Sequence, residues 1–148
     1  MAEVFFYQLG EKPMTQILPD LLKRSLARGA RVVLETAVPE NVQRLSELLW
    51  NHEDVAFLPH GHGDDASARQ PLWLCSDAGN PNAAAYRFYV DGAMPGVIDG
   101  LERAIIIFES NSEEALASAR NEWKKRKAEG HAISYFKQDE NGKFINLA

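Results

Sequence analysis

The fold class is decided by residues 4–51, which read VFFYQLGEKPMTQILPDLLKRSLARGARVVLETAVPENVQRLSELLWN. The apolar runs Val4–Leu9 and Arg31–Thr36 each predict a strand. Leucines at helical spacing predict one helix over Thr15–Ala27, capped by Thr15, and a second over Pro39–Asn51. Strands and helices that alternate with short joints are typical of an α/β protein with a mostly parallel sheet flanked by helices.

The same signals extend this pattern through the rest of the chain. His52–Gln70 reads as a loop, and Asp91–Arg103 is ambiguous, with a short helical turn near Val97–Leu101. Ser110 and Glu113 have the spacing of a capping box for the last helix. The remaining predicted elements are strands at Leu72–Cys75, Arg87–Val90 and Ala104–Phe108 and a C-terminal hairpin of Ala132–Gln138 with Lys143–Leu147. We expect a single domain over residues 1–148.

Composition limits the cellular setting and the stabilising chemistry. The chain has 148 residues, 45% of them hydrophobic, and Cys75 is its one cysteine, so internal disulfides are excluded and a core must hold the fold. Cys75 lies in an apolar run and is predicted to be a small buried hydrophobe. No apolar run approaches ~20 residues and the N-terminal residues lack a signal-peptide pattern, so we expect no membrane association and a cytoplasmic location.

The last predicted helix carries the most informative charge pattern, in the stretch SNSEEALASARNEWKKRKAEG at residues 110–130. Helical spacing places Arg120, Trp123, Lys124 and Lys127 on one face, so cations surround one indole where apolar residues are usual. Residues 120–148 carry net charge +3, whereas the whole chain carries −5. This local basic patch favours an acidic peptide or single phosphates over duplex DNA. Two alternatives remain open. One is a solvated helix face with lysine stems lying over Trp123, and the other is direct binding of single-stranded DNA by the basic patch and Trp123.

The segment His60-Gly61-His62-Gly63-Asp64-Asp65 contains the residue types of a metal site. His60, His62 and Asp64 or Asp65 could serve a small metal-dependent hydrolase or nucleotide-binding enzyme. The His-x-His spacing is permissive, however, and common by chance, so a surface loop with hydrogen-bonded histidines is the favoured interpretation. We therefore predict no metal, cofactor or catalytic residue and keep the enzyme as the alternative function.

Trp50 and Phe57 form a second feature of interest. Trp50 ends the second helix outside its leucine stripe, and Phe57 follows shortly after it. The two aromatics could fill the core, or they could form an exposed pair of the kind that dominates protein interfaces.

Several segments together resemble one protein family, the chi subunit of the bacterial DNA polymerase III holoenzyme. Their order and spacing carry the resemblance over nearly the whole chain. The segments are Phe5-Phe6-Tyr7-Gln8-Leu9, Leu21-Leu22, Ala27-Arg28-Gly29, Leu48-Leu49-Trp50, Phe57-Leu58-Pro59-His60-Gly61, Gln70-Pro71-Leu72, Ala119-Arg120, Trp123-Lys124 and Gly130-His131.

The resemblance implies a non-catalytic adaptor that has an α/β fold similar to nucleotide-binding domains but no nucleotide site. Such proteins bind the acidic C-terminal tail of single-stranded DNA-binding protein, which ends in a phenylalanine carboxylate, and thereby link it to the clamp loader during replication. The tail-binding positions fall on Arg120, Trp123 and Lys124, with Lys127 on the same face. A psi-like subunit or a helicase-like partner would use Trp50 and Phe57. Nucleic acid would be contacted only indirectly.

Overall fold

A computed structural model of the chain describes residues 2–51, 60–63 and 70–147. Its elements are β1 (Glu3–Leu9), α1 (Met14–Ala27), β2 (Val32–Thr36), α2 (Asn41–Asn51), β3 (His60–His62), β4 (Leu72–Cys75), β5 (Tyr86–Val90), β6 (Arg103–Glu109), α3 (Glu113–Ala128), β7 (Ile133–Gln138) and β8 (Phe144–Asn146).

The described strands form one eight-stranded sheet in the order β3-β4-β2-β5-β6-β1-β7-β8. Its strand pairs are parallel except for the antiparallel C-terminal hairpin of β7 and β8. The predicted α/β class, with a mostly parallel sheet and a C-terminal hairpin, is confirmed.

The sheet is covered by α1 and α2 on one face and by α3 on the other. The apolar run of β1 follows from its position in the sheet. Its side chains alternate between two faces, and each face is packed against other parts of the core. Val4 and Phe6 are fully buried on the α3 side, while Leu9 packs into the core beneath α1 and α2. Strand β1 lies between β6 and β7, so it occupies the centre of the half of the sheet that α3 crosses.

Both predicted helix caps were wrong. Helix α1 begins at Met14, its cap position is Pro13 with no side-chain cap bond, and Thr15 lies within the first turn. Pro19 is therefore the sixth helical residue, past the first turn, and it removes one backbone hydrogen bond from the helix. At α3 the cap is Ser112, whose Oγ accepts a hydrogen bond from the Ala115 N–H at 3.1 Å.

The loop predicted over His52–Gln70 and the helical turn predicted near Val97–Leu101 also need correction. His60–His62 is not loop but the edge strand β3, which pairs with β4 from His60↔Leu72 to His62↔Leu74. No helix forms at residues 97–101, where a turn is closed by the Leu101 N–H and the Ile98 carbonyl at 3.1 Å. Isolated short segments are decided by sheet pairing and packing, which local sequence signals do not contain.

The burial predicted for Cys75 is confirmed, since its exposed fraction is 7% and burial raises the pKa of its thiol. None of the described helices is long and apolar enough to cross a membrane.

Candidate functional site

Helix α3 combines complementary charges at its two ends with a narrow buried face. Ser112 caps its first turn, which carries Glu113 and Glu114, and three basic residues occupy its last turn. Both arrangements complement the helix dipole. The buried residues of α3 are Ala119, Glu122 and Arg126, so two of the three carry charge. Ala119 packs into the core of the sheet, and Leu116 and Trp123 pack against the same core but stay partly exposed. The charged pair joins the helix to the carbonyls of Pro95 and Gly96.

The buried ion pair accounts for one cation of the predicted basic run. Arg126 Nε donates to Glu122 Oε1 at 2.6 Å, and Nη1 donates to Glu129 Oε1 at 3.0 Å. Its Nη2 donates to the carbonyls of Pro95 and Gly96 at 3.2 and 2.6 Å. Although burial alone would lower the pKa of Arg126, its hydrogen bonds and charge interactions with the two glutamates raise it overall. Arg126 is thus committed to the fold and is not available to a ligand.

A pocket opens on the neighbouring face of α3. Its volume is about 280 Å³, and its lining residues are Gln8 of β1, Leu116, Arg120 and Trp123 of α3, and Tyr135 of β7. The pocket follows from the topology. Helix α3 connects β6 to β7, which lie on either side of β1, and it packs over these strands. Leucine, tryptophan and tyrosine supply apolar walls, and Arg120 supplies a positive charge.

The floor of this pocket is fixed by hydrogen bonds and ring contacts. The Tyr135 hydroxyl donates to Gln8 Oε1, and Gln8 Nε2 donates to Ser110 Oγ at 3.0 Å. The Ser110 hydroxyl in turn donates to the Leu9 carbonyl, so this residue orients the floor instead of capping α3. The Tyr135 ring stacks on Phe6 with centroids 5.8 Å apart. These contacts hold the tyrosine in one orientation before any ligand arrives.

Arg120 and Tyr135 line the same pocket, and the charge of Arg120 acts on the tyrosine hydroxyl. Burial raises the pKa of the Tyr135 hydroxyl, and the positive charge of Arg120 acts in the opposite direction. Arg120 itself is exposed to solvent. An exposed guanidinium beside a half-buried aromatic pocket can bind an anionic group attached to an apolar side chain.

The predicted basic face is brought together in part. Arg120 and Trp123 line the pocket, and the Lys127 Nζ lies 4.5 Å from the centroid of the Trp123 ring. This contact is the lysine-over-indole arrangement of the alternative prediction, and it also places a cation at the outer side of the indole. Lys124 and Lys125 are exposed, and neither lines the pocket.

Sequence reasoning missed Gln8, Leu116 and Tyr135. Leu116 could have been found, because it lies four residues before Arg120 and seven before Trp123 on the same helical stripe. Gln8 and Tyr135 are separated by 127 residues and meet only through the pairing of β1 with β7. The spacing from Glu122 to Arg126 was a further signal that this arginine is paired within the helix.

The second predicted surface is described only in part. Trp50 is 52% exposed, which excludes the core-filling alternative for this residue. Its ring lies 4.4 Å from the ring of His60, which is buried and has Nε2 3.3 Å from Ser46 Oγ. Phe57 lies outside the described residues.

The histidine segment gives the enzyme alternative no support in the part of the chain that can be tested. Among residues 2–51, 60–63 and 70–147, no group of three or more metal-ligating side chains converges. Asp64 and Asp65 lie outside those ranges. His60 is instead engaged by Ser46 and Trp50.

Comparison with known proteins identifies the family. The family model described as DNA polymerase III chi subunit, HolC, matches residues 1–134. No curated protein matches the chain. The matched segment contains β1 and all of α3, and it ends one residue before Tyr135. Because this match covers most of the 148 residues, the chain belongs to the DNA polymerase III chi subunit family.

Proposed function

We propose that this protein is a non-catalytic adaptor of the replicative DNA polymerase. It binds the acidic C-terminal tail of single-stranded DNA-binding protein and links that protein to the clamp loader. Family membership supports the role in replication. The observation that carries the tail site is the pocket in which Arg120 stands beside Leu116, Trp123 and Tyr135.

The pocket matches the two chemical features at the end of such a tail. A terminal phenylalanine ring enters between the apolar walls, where burial and ring contacts favour it. Its free carboxylate pairs with the Arg120 guanidinium in a charge-assisted hydrogen bond. The ring and the carboxylate of a C-terminal residue belong to the same amino acid, so a site for both needs an apolar cavity with a cation at its rim.

The aspartates upstream in the tail are attracted by the exposed cations of α3. Lys124 and Lys127 lie on the same side of the helix as Arg120 and extend the positive surface away from the pocket. Exposed charges of this kind mainly raise the association rate and are screened by salt. A short tail bound in this way should have micromolar affinity, about −8 kcal/mol. Many tails on one protein-coated strand then add avidity.

Calorimetry with a synthetic tail peptide tests the site. We expect Arg120→Ala to weaken binding by roughly 2–4 kcal/mol, because the peptide carboxylate loses its partner. Lys125→Ala is the matched control, since Lys125 is exposed on the same helix but does not line the pocket. Its effect should be within ~0.5 kcal/mol. Equal losses in the two variants would show that general charge, and not the pocket, binds the tail.

A change in the peptide sharpens the same test. Amidation of the peptide's C-terminus removes the carboxylate and leaves the ring, so it should abolish most of the difference between the wild type and Arg120→Ala. An amidated peptide that still binds Arg120→Ala more weakly by the full amount would mean that Arg120 contacts the tail aspartates instead.

We further propose that Trp50, together with Phe57, binds a psi-like or helicase-like partner that connects the adaptor to the clamp loader. The support is the exposure of Trp50, because a tryptophan that is 52% exposed at a helix end is a typical interface anchor. A pull-down with Trp50→Ala from cells of the native organism should lose this partner and retain single-stranded DNA-binding protein. Loss of both would place the tail contact at Trp50.

A further inference from the structure

The face of the sheet opposite the tail pocket carries a long groove. Helix α1 packs mainly against β2 and β6 and leaves the neighbouring strands β1, β7 and β8 partly uncovered on that face. Two cavities, of about 120 and 480 Å³, lie along α1 and share Tyr7, Leu21 and Arg24 as lining residues. The two cavities adjoin at these shared residues, and we call them together the α1 groove.

Aromatic rings form the floor of the α1 groove. Tyr7 of β1 and Phe136 of β7 are stacked with centroids 4.9 Å apart, and Phe144 of β8 meets the Tyr7 ring edge-on at 5.1 Å. Phe5 lies next in β1, with its ring 6.3 Å from that of Phe136. All four rings are only partly buried. One of these contacts is stacked and two are edge-on, so the floor is a contiguous set of rings drawn from three strands.

Cations line the same groove in an otherwise acidic protein. Its described lining residues include Lys12, Arg24, Arg28 and Arg103, against one carboxylate, Asp20. Asp20 pairs with Arg24 at 3.0 Å, but both side chains are more than half exposed, so this pair is weak and leaves Arg24 available.

The guanidinium groups lie against the aromatic floor. The Arg103 guanidinium carbon is 4.9 Å from the Phe5 ring centroid and 5.2 Å from that of Tyr86. Burial raises the pKa of Tyr7, and the charges of Arg103, Arg24 and Arg28 counteract that rise. Three arginines therefore converge on one tyrosine of the floor.

We propose that the α1 groove binds single-stranded nucleic acid, with bases against the Phe5–Tyr7–Phe136–Phe144 floor and phosphates on Arg24, Arg28 and Lys12. Stacking platforms beside a cationic track are the combination that binds single strands without sequence preference. The site is separate from the proposed tail pocket, which lies on the α3 face of the sheet.

Three features favour nucleic acid over an acidic peptide as the occupant. Most of the lining cations are arginines, whose planar groups bind phosphate and stack on bases. The floor is made of aromatic rings, against which bases of any identity can stack. The 14 residues of α1 span about 21 Å, which accommodates about four nucleotides, near the small end of known single-strand sites.

Fluorescence anisotropy with labelled oligothymidylate of about 15 nucleotides tests the proposal on the full chain. We expect measurable binding that falls by about tenfold or more in Arg24→Ala with Arg28→Ala, and a smaller salt slope in that variant. Arg24 lies on α1 and Arg28 at its C-terminal cap, and both are exposed, so the variant should fold. The matched control is Lys23→Ala with Arg44→Ala, which removes two exposed cations outside the groove and should change affinity by less than about twofold.

Photo-cross-linking with bromodeoxyuridine in the oligonucleotide locates the contact, and adducts on Phe5, Tyr7 or Phe136 are expected. Three results would overturn the proposal. The first is no anisotropy change with the wild type, and the second is equal loss in the arginine variant and its control. The third is binding that depends on Arg24 and Arg28 for a polyglutamate peptide but not for the oligonucleotide, which would make the occupant an acidic protein.

Nucleic-acid binding at the α1 groove and tail binding at the α3 pocket can be tested separately. Arg120→Ala should leave oligonucleotide affinity unchanged within about twofold, because Arg120 lies on the other face of the sheet. If Arg120→Ala removes oligonucleotide binding while the groove variant retains it, the single strand is bound at the α3 pocket and the α1 groove is not the site.

Discussion

Arg126 and Arg120 lie on the same helix, six residues apart, and have opposite roles. Arg126 is 4% exposed and donates to two glutamates and two carbonyls, so its charge is fully used within the fold. Arg120 is exposed at the rim of a pocket whose walls come from three elements. The difference shows that the partners available on each face of a helix, and not its residue types, decide which cation holds the fold and which can bind a ligand.

The largest expected effect concerns the buried member of this pair. Arg126→Ala leaves Glu122 buried without its partner, and we expect the free energy of unfolding to fall by about 3–5 kcal/mol. Urea denaturation followed by circular dichroism measures it. Arg120→Ala should stay within ~0.5 kcal/mol of the wild type in the same assay. A loss below ~1 kcal/mol for Arg126→Ala would contradict the assignment of a structural role.

A pH series extends the comparison to a tyrosine buried near Arg126. Burial raises the pKa of Tyr89, which is buried near Arg126 and Glu122, from 10.0 to about 12. Because the folded pKa exceeds the unfolded value, this contribution is intact below pH 10 and is lost as the pH rises to about 12. The loss approaches ~2–3 kcal/mol. Tyr89→Phe should remove this part of the alkaline destabilisation, whereas an unchanged pH profile would refute it.

Ionic strength should affect the exposed cations Lys124 and Lys127 differently from the buried Arg126. Raising the ionic strength from about 0.05 to 0.3 M should weaken tail-peptide binding by ~1 kcal/mol, because the attraction of Lys124 and Lys127 for the tail is screened. Lys124→Ala with Lys127→Ala should flatten this dependence. The destabilisation caused by Arg126→Ala should be nearly the same at both salt concentrations. A flat tail affinity for the wild type would indicate a mainly apolar contact.

The smallest effect tests whether the pocket and the Trp50 surface are independent. Trp50→Ala with Phe57→Ala should leave tail affinity within ~0.5 kcal/mol, as expected for separate sites. For Trp50→Ala alone, the melting temperature should also stay close to that of the wild type, because the side chain is 52% exposed. A marked fall in its melting temperature would show that the contact with His60 stabilises the fold.

The fold was predictable from sequence to the extent that its signals are local. The apolar runs at Val4–Leu9 and Ala104–Phe108 and the leucine stripes of the first two helices predicted β1, β6, α1 and α2. The cap of α3 was not predictable, because Ser110 and Ser112 carry the same hydroxyl group. They differ only in which groups of the folded protein lie near them. The Ser110 hydroxyl donates to the Leu9 carbonyl, and Ser112 is the residue that caps α3.

Of the candidate site, only the residues that share one helix were predictable from the sequence. Arg120 and Trp123 lie on one helix, so helical spacing found them. Strand β3 and the partners Gln8 and Tyr135 depend on which strands become neighbours in the sheet, and that order does not follow the order in the chain. The burial of Arg126 depends likewise on where the loop containing Pro95 and Gly96 comes to rest against α3.

The position of β1 between β6 and β7 has a consequence during synthesis of the protein. Gln8 leaves the ribosome 127 residues before Tyr135, its hydrogen-bond partner. Until β7 emerges, the edge of β1 that β7 will cover stays open, and pairings this distant in the chain form slowly. The pocket is therefore among the last parts of the molecule to exist. A nascent chain that has not yet placed β7 beside β1 lacks the Tyr135 side of the pocket.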